Sequence, residues 1–148
     1  MDIFLVRHGT ASATWEQHPD PGLSSQGREE AHNLERSLSP YLDGPVRLLS
    51  SPLARARETA SPIAMRLNQE VDITDSISEV PSPVDLIYRR KWLREFMKQR
   101  WQDQNDDVLA WRATAIRFVK SLSCPSVLFT HFLLINAISL FSINVSLL

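Results

Sequence analysis

The chain has 148 residues, of which 43% are hydrophobic and 22% charged, values typical of a globular protein and unlike those of a disordered segment or a fibrous repeat. This length suits one domain, which we expect to cover residues 1–148. With 16 Lys and Arg against 17 Asp and Glu, the net charge of −1 argues against binding nucleic acid or an anionic membrane through bulk charge, so any anion site must be local.

Short apolar runs rich in branched residues predict four buried strands. These runs are Ile3–Val6, Val46–Leu49, Val71–Ile73 and Val127–Phe129. Helical patterns separate them, and serines that suit the N-cap position precede the first three helices. Those helices start at Ser24 or Ser25, at Ser51 and at Ser82, and a fourth helix spans Leu109–Leu122. The alternation predicts a three-layer α/β/α domain with a largely parallel central sheet.

The segment Val127–Leu148 contains no Asp, Glu, Lys or Arg and is long enough to cross a membrane. Its polar residues, among them Asn136 and Asn144, would be difficult to satisfy in lipid. We therefore expect no membrane contact, but a strand over Ser126–Thr130 followed by a helix that begins near Phe132.

The single cysteine, Cys124, cannot form an internal disulfide, and the four histidines lack the companion thiols of a structural zinc site. The first residues, Met1–Arg7, include an acid at position 2 and do not resemble a signal peptide. We expect a cytoplasmic protein that needs neither a metal nor another cofactor.

Charged side chains follow three of the predicted strands. The first strand runs into Arg7 and His8, the second into a helix start with Arg55, and the fourth into His131. Since ligands of parallel sheets bind beyond the carboxyl ends of the strands, we expect these side chains to meet at one edge. Such a set suits a phosphoryl group: arginines ligate its oxygens, a neutral imidazole attacks phosphorus, and a second imidazole donates a hydrogen bond or, if protonated, adds charge.

Each of these residues also has an ordinary structural explanation. His131 fits a buried core histidine with satisfied hydrogen bonds. Arg55 fits a solvent-facing position like the one expected for Arg57, although two helical steps place these arginines on roughly opposite sides. The placement of all four residues after three strands favours a common site.

The chain resembles the histidine phosphatase superfamily, also called the phosphoglycerate mutase-like family, over most of its length. The matching segments, in order, are Leu5-Val6-Arg7-His8-Gly9, Pro21-Gly22-Leu23-Ser24 with Gly27-Arg28, Ser51-Pro52-Leu53-Ala54-Arg55-Ala56 with Thr59-Ala60, and Phe129-Thr130-His131. Each segment is weak by itself, whereas the ordered set is specific.

The resemblance implies that His8 is a nucleophile that becomes a phosphohistidine. It further implies that Arg7 and Arg55 hold the phosphoryl group and that His131 completes the pocket. Like-charge repulsion from the two arginines should lower the pKa of His8 and keep it neutral, as a nucleophile must be.

A leaving alcohol needs a proton, and the resemblance points to Glu79 as its donor. Asp20 is the next candidate, and Glu79 could instead be a solvated loop carboxylate. The mutase branch has characteristic residues after the acid that are absent from Val80-Pro81, which favours a phosphatase. The glycine expected after the second histidine is Phe132, which would narrow the pocket or form an aromatic wall.

The resemblance thus predicts a metal-independent phosphomonoesterase acting on a small phosphorylated substrate. Two alternatives are a non-catalytic phospholigand-binding pseudo-enzyme and a mutase-type phosphotransferase. The basic stretch Arg89–Arg100 favours a solvated helix, with a lid for anionic substrates or RNA contacts as alternatives. The alternating tail Phe141–Leu148 predicts a short edge strand, or the end of a truncated family domain whose exposed edge would favour a homodimer.

Overall fold

A computed structural model describes residues 1–14, 17–139 and 145–147, with side chains for the first two ranges. Its centre is a five-stranded parallel sheet in the order β3-β2-β4-β1-β5. The strands are β1 (Ile3–Arg7), β2 (Arg47–Ser50), β3 (Asp72–Ile73), β4 (Ser126–Thr130) and β5 (Val145–Leu147). The predicted α/β class with a largely parallel sheet is confirmed.

Helices connect the strands. They are α1 (Ser25–Leu38), α2 (Ala54–Leu67), α3 (Leu86–Phe96), α4 (Asp106–Ser121) and α5 (Phe132–Ser139). No helix within the described part of the chain is long and apolar enough to cross a membrane.

The central strands β1 and β4 are buried on both faces, because successive residues point to opposite sides and helices cover each side. On β1, Ile3 and Leu5 pack into one core cluster and Phe4 and Val6 into another. The first cluster includes residues of α4 and α5, and the second includes residues of α1 and α2. These are the three layers that the sequence predicts.

A third apolar cluster joins α3 to α4 and α5 beside the sheet. Its buried members are Val80, Leu93, Phe96, Val108 and Leu133, with partly buried tryptophans around them. This cluster seats the basic helix α3 next to the carboxyl ends of the strands.

The helix starts differ from the predicted ones at two places. Ser24 caps α1 as expected, its Oγ accepting from the Gly27 amide at 3.0 Å. Ser51 does not cap α2, which begins three residues later at Ala54. The helix predicted from Ser82 likewise begins later, after Asp85. In both cases the chain first bends, and the serine serves a local turn.

The predicted edge strand over Phe141–Leu148 falls partly on residues outside the described ranges. The part that is described, Val145–Leu147, forms β5 and pairs in parallel with β1. In this pairing Val145 lies opposite Ile3, and Leu147 lies opposite Leu5.

The loop after β1 packs directly on α1 through a pair of glycines. A Cβ at Gly27 would collide with the Thr10 carbonyl oxygen and lie 3.0 Å from the Thr10 nitrogen. A Cβ at Gly9 would lie 2.7 Å from the Gly27 carbonyl oxygen. The position of the loop that carries His8 therefore depends on the absence of side chains at both positions.

We predict that Gly27→Ala lowers the free energy of unfolding by about 1–3 kcal/mol, because the added methyl has no space against backbone. Alanine is a better helix former than glycine by about 1 kcal/mol, so helix propensity alone would predict the opposite change in stability. Urea denaturation followed by circular dichroism measures the change. Asn33→Ala, at an exposed position on α1, is the control. Unchanged or raised stability of Gly27→Ala would show that the contact is not tight.

Candidate active site

Three neighbouring strands end at one edge of the sheet, and each is followed by a polar residue. His8 follows β1, Ser51 follows β2 and His131 follows β4. Pairing continues past the strands: the His8 amide donates to the Thr130 carbonyl and the Ser51 amide to the Phe129 carbonyl, both at 3.0 Å. The rings of His8 and His131 consequently lie 5.2 Å apart, edge to face.

Arg55, in the first turn of α2, places its guanidinium between the two imidazoles. Its Nε donates to Nε2 of His8 at 3.1 Å, and its Nη2 lies 3.4 Å from Nδ1 of His131. The side chain is 2% exposed, which excludes the solvent-facing alternative, whereas Arg57 is exposed. The structure thus brings together three of the residues that the sequence predicts for the site.

The hydrogen bonds of His8 define its tautomer. Its Nδ1 lies 2.7 Å from the Gly9 carbonyl, which can only accept, so Nδ1 carries the proton. Nε2 then has a free lone pair, and this is the atom to which Arg55 donates. Burial lowers the pKa of His8 to about 4, with Arg55 and Arg7 adding to the effect and the Gly9 hydrogen bond opposing it. The ring is therefore neutral at ordinary pH.

His131 is fully buried and also neutral. Its Nε2 lies 2.8 Å from Oγ of Ser51, and burial followed by the charge of Arg55 lowers the pKa of His131 to about 2. Of the two roles expected for this imidazole, the lowered pKa favours the hydrogen bond over the added positive charge at ordinary pH. It acts instead as a neutral hydrogen-bonding group, and Ser51, expected as a helix cap, is its partner.

Glu79 lies in the loop that follows a 3-10 turn at Asp75–Ile77. Its side chain is 7% exposed, and Oε2 lies 3.5 Å from both Nη2 of Arg55 and Nδ1 of His131. Burial raises the pKa of Glu79, although the Val80 amide and the nearby guanidinium groups of Arg55 and Arg89 oppose the rise. The alternative of a solvated loop carboxylate is wrong.

Asp20 holds the start of α2. Its Oδ1 accepts from the Ala54 amide at 2.9 Å and lies 4.0 Å from Nη1 of Arg55. A carboxylate at this position satisfies an amide that the helix leaves unpaired and opposes the helix dipole. Asp20 therefore has a structural partner on the helix that carries Arg55.

Two residues that the sequence analysis left without a role connect these elements. Thr59 accepts from the Gly9 amide at 3.0 Å and donates to the Arg55 carbonyl at 2.7 Å, so it ties the loop after β1 to α2. Glu30 accepts from the Thr10 amide at 2.8 Å. Thr59 could have been found from its spacing of one helical turn after Arg55. No comparable signal exists for Glu30, since its contact depends on how α1 packs.

Arg7, unlike Arg55, is exposed to solvent. Its guanidinium lies 5.7 Å from the centroid of the Phe132 ring. Both residues line a cleft of about 470 Å³ into which His8 and Glu79 also open. Among the described residues that line the cleft, Glu79 is the acidic one. It therefore shares the space next to His8 and is placed to act as a proton donor.

The arrangement provides an uncharged nucleophile and a carboxyl group that open into one cleft, with the buried cation of Arg55 beside both. The Nε2 lone pair of His8 can attack an electrophile, and Arg55 can stabilise negative charge that develops beside it. Glu79, with its raised pKa, can hold a proton for a leaving group.

Comparisons with known proteins identify the family and the fold of the chain. The family model described as histidine phosphatase superfamily (branch 1) matches residues 3–117. The solved structure of TTHB049 from Thermus thermophilus is similar with 25% identity and a TM-score of 0.62, covering 93% of this chain and 82% of that one. A search of curated proteins gives no match.

Two further solved structures share the fold at lower identity. A phosphoglycerate mutase from Thermus thermophilus has 24% identity and a TM-score of 0.61, with 93% of this chain and 81% of that chain covered. A mycobacterial glucosyl-3-phosphoglycerate phosphatase, solved with VO3, has 21% identity and a TM-score of 0.63, with 91% and 78% covered.

We predict that His8 titrates near pH 4 rather than near its ordinary value of 6.5. Histidine ring signals followed by NMR measure the midpoint directly. Arg7→Gln should keep the midpoint well below 6.5, because burial is the largest cause and the charge of Arg7 a smaller one. A midpoint close to 6.5 in the unmodified protein would show that the ring is not shielded from water.

Proposed function

Because the chain belongs to the histidine phosphatase superfamily, we propose that it hydrolyses small phosphomonoesters through a phosphohistidine at His8, without a metal ion. The observation that carries the proposal is the 3.1 Å contact between Nε2 of His8 and the buried guanidinium of Arg55. It places a cation beside an unprotonated nucleophile, where a phosphoryl group needs both.

In the first step the Nε2 lone pair of His8 attacks phosphorus, and the bond from phosphorus to the ester oxygen breaks. Arg55 turns its donors from Nε2 to the phosphoryl oxygens, and Arg7 approaches the same group from the exposed side. Glu79 transfers its proton to the departing oxygen, so the leaving group departs as a neutral alcohol. The Gly9 carbonyl continues to accept from Nδ1 of the phosphorylated ring.

In the second step water attacks the phosphohistidine. The carboxylate of Glu79, which has lost its proton, accepts one from the water as the new oxygen–phosphorus bond forms. The phosphorus–nitrogen bond breaks, its electron pair returns to Nε2 of His8, and inorganic phosphate leaves. Neutral His131, held by Ser51, donates a hydrogen bond to the phosphoryl oxygens throughout.

Glu79 is preferred over Asp20 as the acid because of its surroundings. Glu79 opens into the cleft with His8, and its burial raises the pKa of its carboxyl group. Asp20 accepts from the Ala54 amide at the start of α2. The structural neighbours include both a mutase and a phosphatase, so the fate of the phosphoryl group must be measured.

We predict that His8→Ala abolishes phosphate release from an aryl phosphate, since no other group takes over as nucleophile. Activity of the unmodified protein should persist in chelator and be inhibited by vanadate. His32→Ala, at an exposed position on α1, is the matched control and should retain full activity. Activity that appears only with added Mg²⁺ would contradict the proposal.

Trapping the enzyme with 32P-labelled ester distinguishes the alternatives. A hydrolase passes the label from His8 to water, and a mutase passes it to a second substrate hydroxyl. A phospholigand-binding pseudo-enzyme binds the ester but neither acquires label nor releases phosphate.

We predict that Glu79→Gln slows alkyl phosphates at least about tenfold more than aryl phosphates, because only poor leaving groups need a strong acid. In the unmodified protein kcat/KM should fall below about pH 4 as His8 gains a proton. It should also fall at higher pH as Glu79 loses its proton. The raised pKa of Glu79 moves this decrease to higher pH, and Glu79→Gln should remove it. Equal slowing of both ester classes would show that Glu79 is not the general acid, and Asp20→Asn would then test the next candidate.

A further inference from the structure

The cleft beside His8 has walls of two chemical kinds. Its apolar wall comes from α3, the residue that follows it and the start of α5, and consists of Leu93, Met97, Phe132 and Leu133. Its basic wall consists of Arg7, Arg90 and Arg94. Substrates of a purely polar or purely apolar character would leave one of these walls without a partner.

The leaving group of an ester lies in this cleft if Glu79 is its acid. A second cavity of about 410 Å³ also opens at His8, lined by the loop after β1 and by Arg90. Glu79 lines the first cavity, and the departing oxygen must lie beside its proton donor. The first cavity therefore accommodates the part of the substrate that distinguishes one phosphomonoester from another.

Arg90 and Arg94 form the basic wall as a pair. They are four residues apart on α3, so they project from the same side of the helix. Within residues 1–14 and 17–139, neither guanidinium has a salt bridge to a carboxylate. Both guanidinium groups line the cleft, and neither is paired with a carboxylate in the described residues, unlike that of Arg100, which pairs with Asp103 at 2.8 Å.

The apolar wall is open at its mouth. The side chains of Phe132 and Met97 are 51% and 59% exposed, which is a large apolar surface beside a polar site. Arg7 lies 5.7 Å from the centroid of the Phe132 ring and holds one side of that ring. An aromatic or similarly flat apolar group would cover both side chains and remove them from water.

We propose that the protein acts on phosphomonoesters whose leaving group combines an apolar, flat body with a second negative charge. The body packs on Phe132 and Met97, and the second charge is held by Arg90 and Arg94. This rests on the proposed hydrolysis at His8 and adds the class of substrate to it.

The test compares two esters of nearly the same shape, one with a charged and one with a neutral substituent: 4-carboxyphenyl phosphate and 4-carbamoylphenyl phosphate. The uncharged amide is the better leaving group, so chemistry alone favours it. We expect the unmodified protein to prefer the carboxylate by about tenfold in kcat/KM, since a charged hydrogen bond discriminates by this order. At about 1 M salt, where the Debye length is about 3 Å, the preference should shrink.

Variants assign the preference to the two walls. Arg90→Gln with Arg94→Gln should abolish the preference for the carboxylate, because kcat/KM should fall much more for the carboxylate ester than for the amide ester. Lys91→Gln, on the same helix but outside the described cleft wall, is the matched control and should keep the preference for the carboxylate ester. Phe132→Ala should lower kcat/KM about fivefold for the aryl esters relative to the phosphate ester of 3-hydroxypropionate, which lacks the ring.

Equal loss of preference in Lys91→Gln and in the double variant would overturn the proposal, because the effect would then be that of overall charge. No preference in the unmodified protein would also overturn it. Calorimetric binding of both esters to His8→Ala makes the same comparison without turnover. A protein that releases no phosphate but still binds the carboxylate more tightly would contradict the hydrolysis and support the substrate class.

Discussion

The structure depends on keeping the charge of Arg55 buried between two histidines. Removing a guanidinium from water costs on the order of several kcal/mol unless other groups replace the lost hydration. Here the lone pair of His8 accepts from Nε, and the carboxyl groups of Glu79 and Asp20 lie 3.5 and 4.0 Å away. A phosphoryl dianion that accepts directly from the guanidinium would approach it more closely than these carboxyl groups do. The burial of this cation therefore favours an anionic ligand at the same place.

The neutrality of the two histidines has a different main cause from the one that the sequence suggests. Charges on neighbouring arginines are expected to hold the pKa of His8 down, and they do contribute. The larger cause is burial, for His8 and for His131 alike. Burial at the strand ends is a property of packing rather than of local sequence. The charge of Arg55 is visible in the sequence, whereas the exclusion of water around it is not.

The sequence predicts the sheet and the convergence of Arg55, His8 and His131, because strand ends of a parallel sheet meet whatever their separation along the chain. It cannot predict contacts that depend on the angle of a helix or the path of a loop. Ser51 has the sequence features of a helix cap, but a bend delays α2 to Ala54 and leaves its hydroxyl 2.8 Å from His131. The basic stretch Arg89–Arg100 has the sequence of a helix whose charged side chains lie in solvent. In the structure its side chains reach both Glu79 and the cleft wall, which follows from the third apolar cluster that seats α3.

Burial acts in opposite directions on the base and the acid of the site, and this sets their protonation states together. Removal of water disfavours the charged form of each group, so it lowers the pKa of His8 and raises that of Glu79. Attack on phosphorus needs the imidazole without its proton, and departure of an alcohol needs the carboxyl group with its own. In water the two groups would tend to the reverse state at mildly acidic pH, with the imidazole protonated and the carboxyl ionised. A single physical cause, the burial of both groups at the strand ends, therefore prepares nucleophile and acid in the combination that the first step requires.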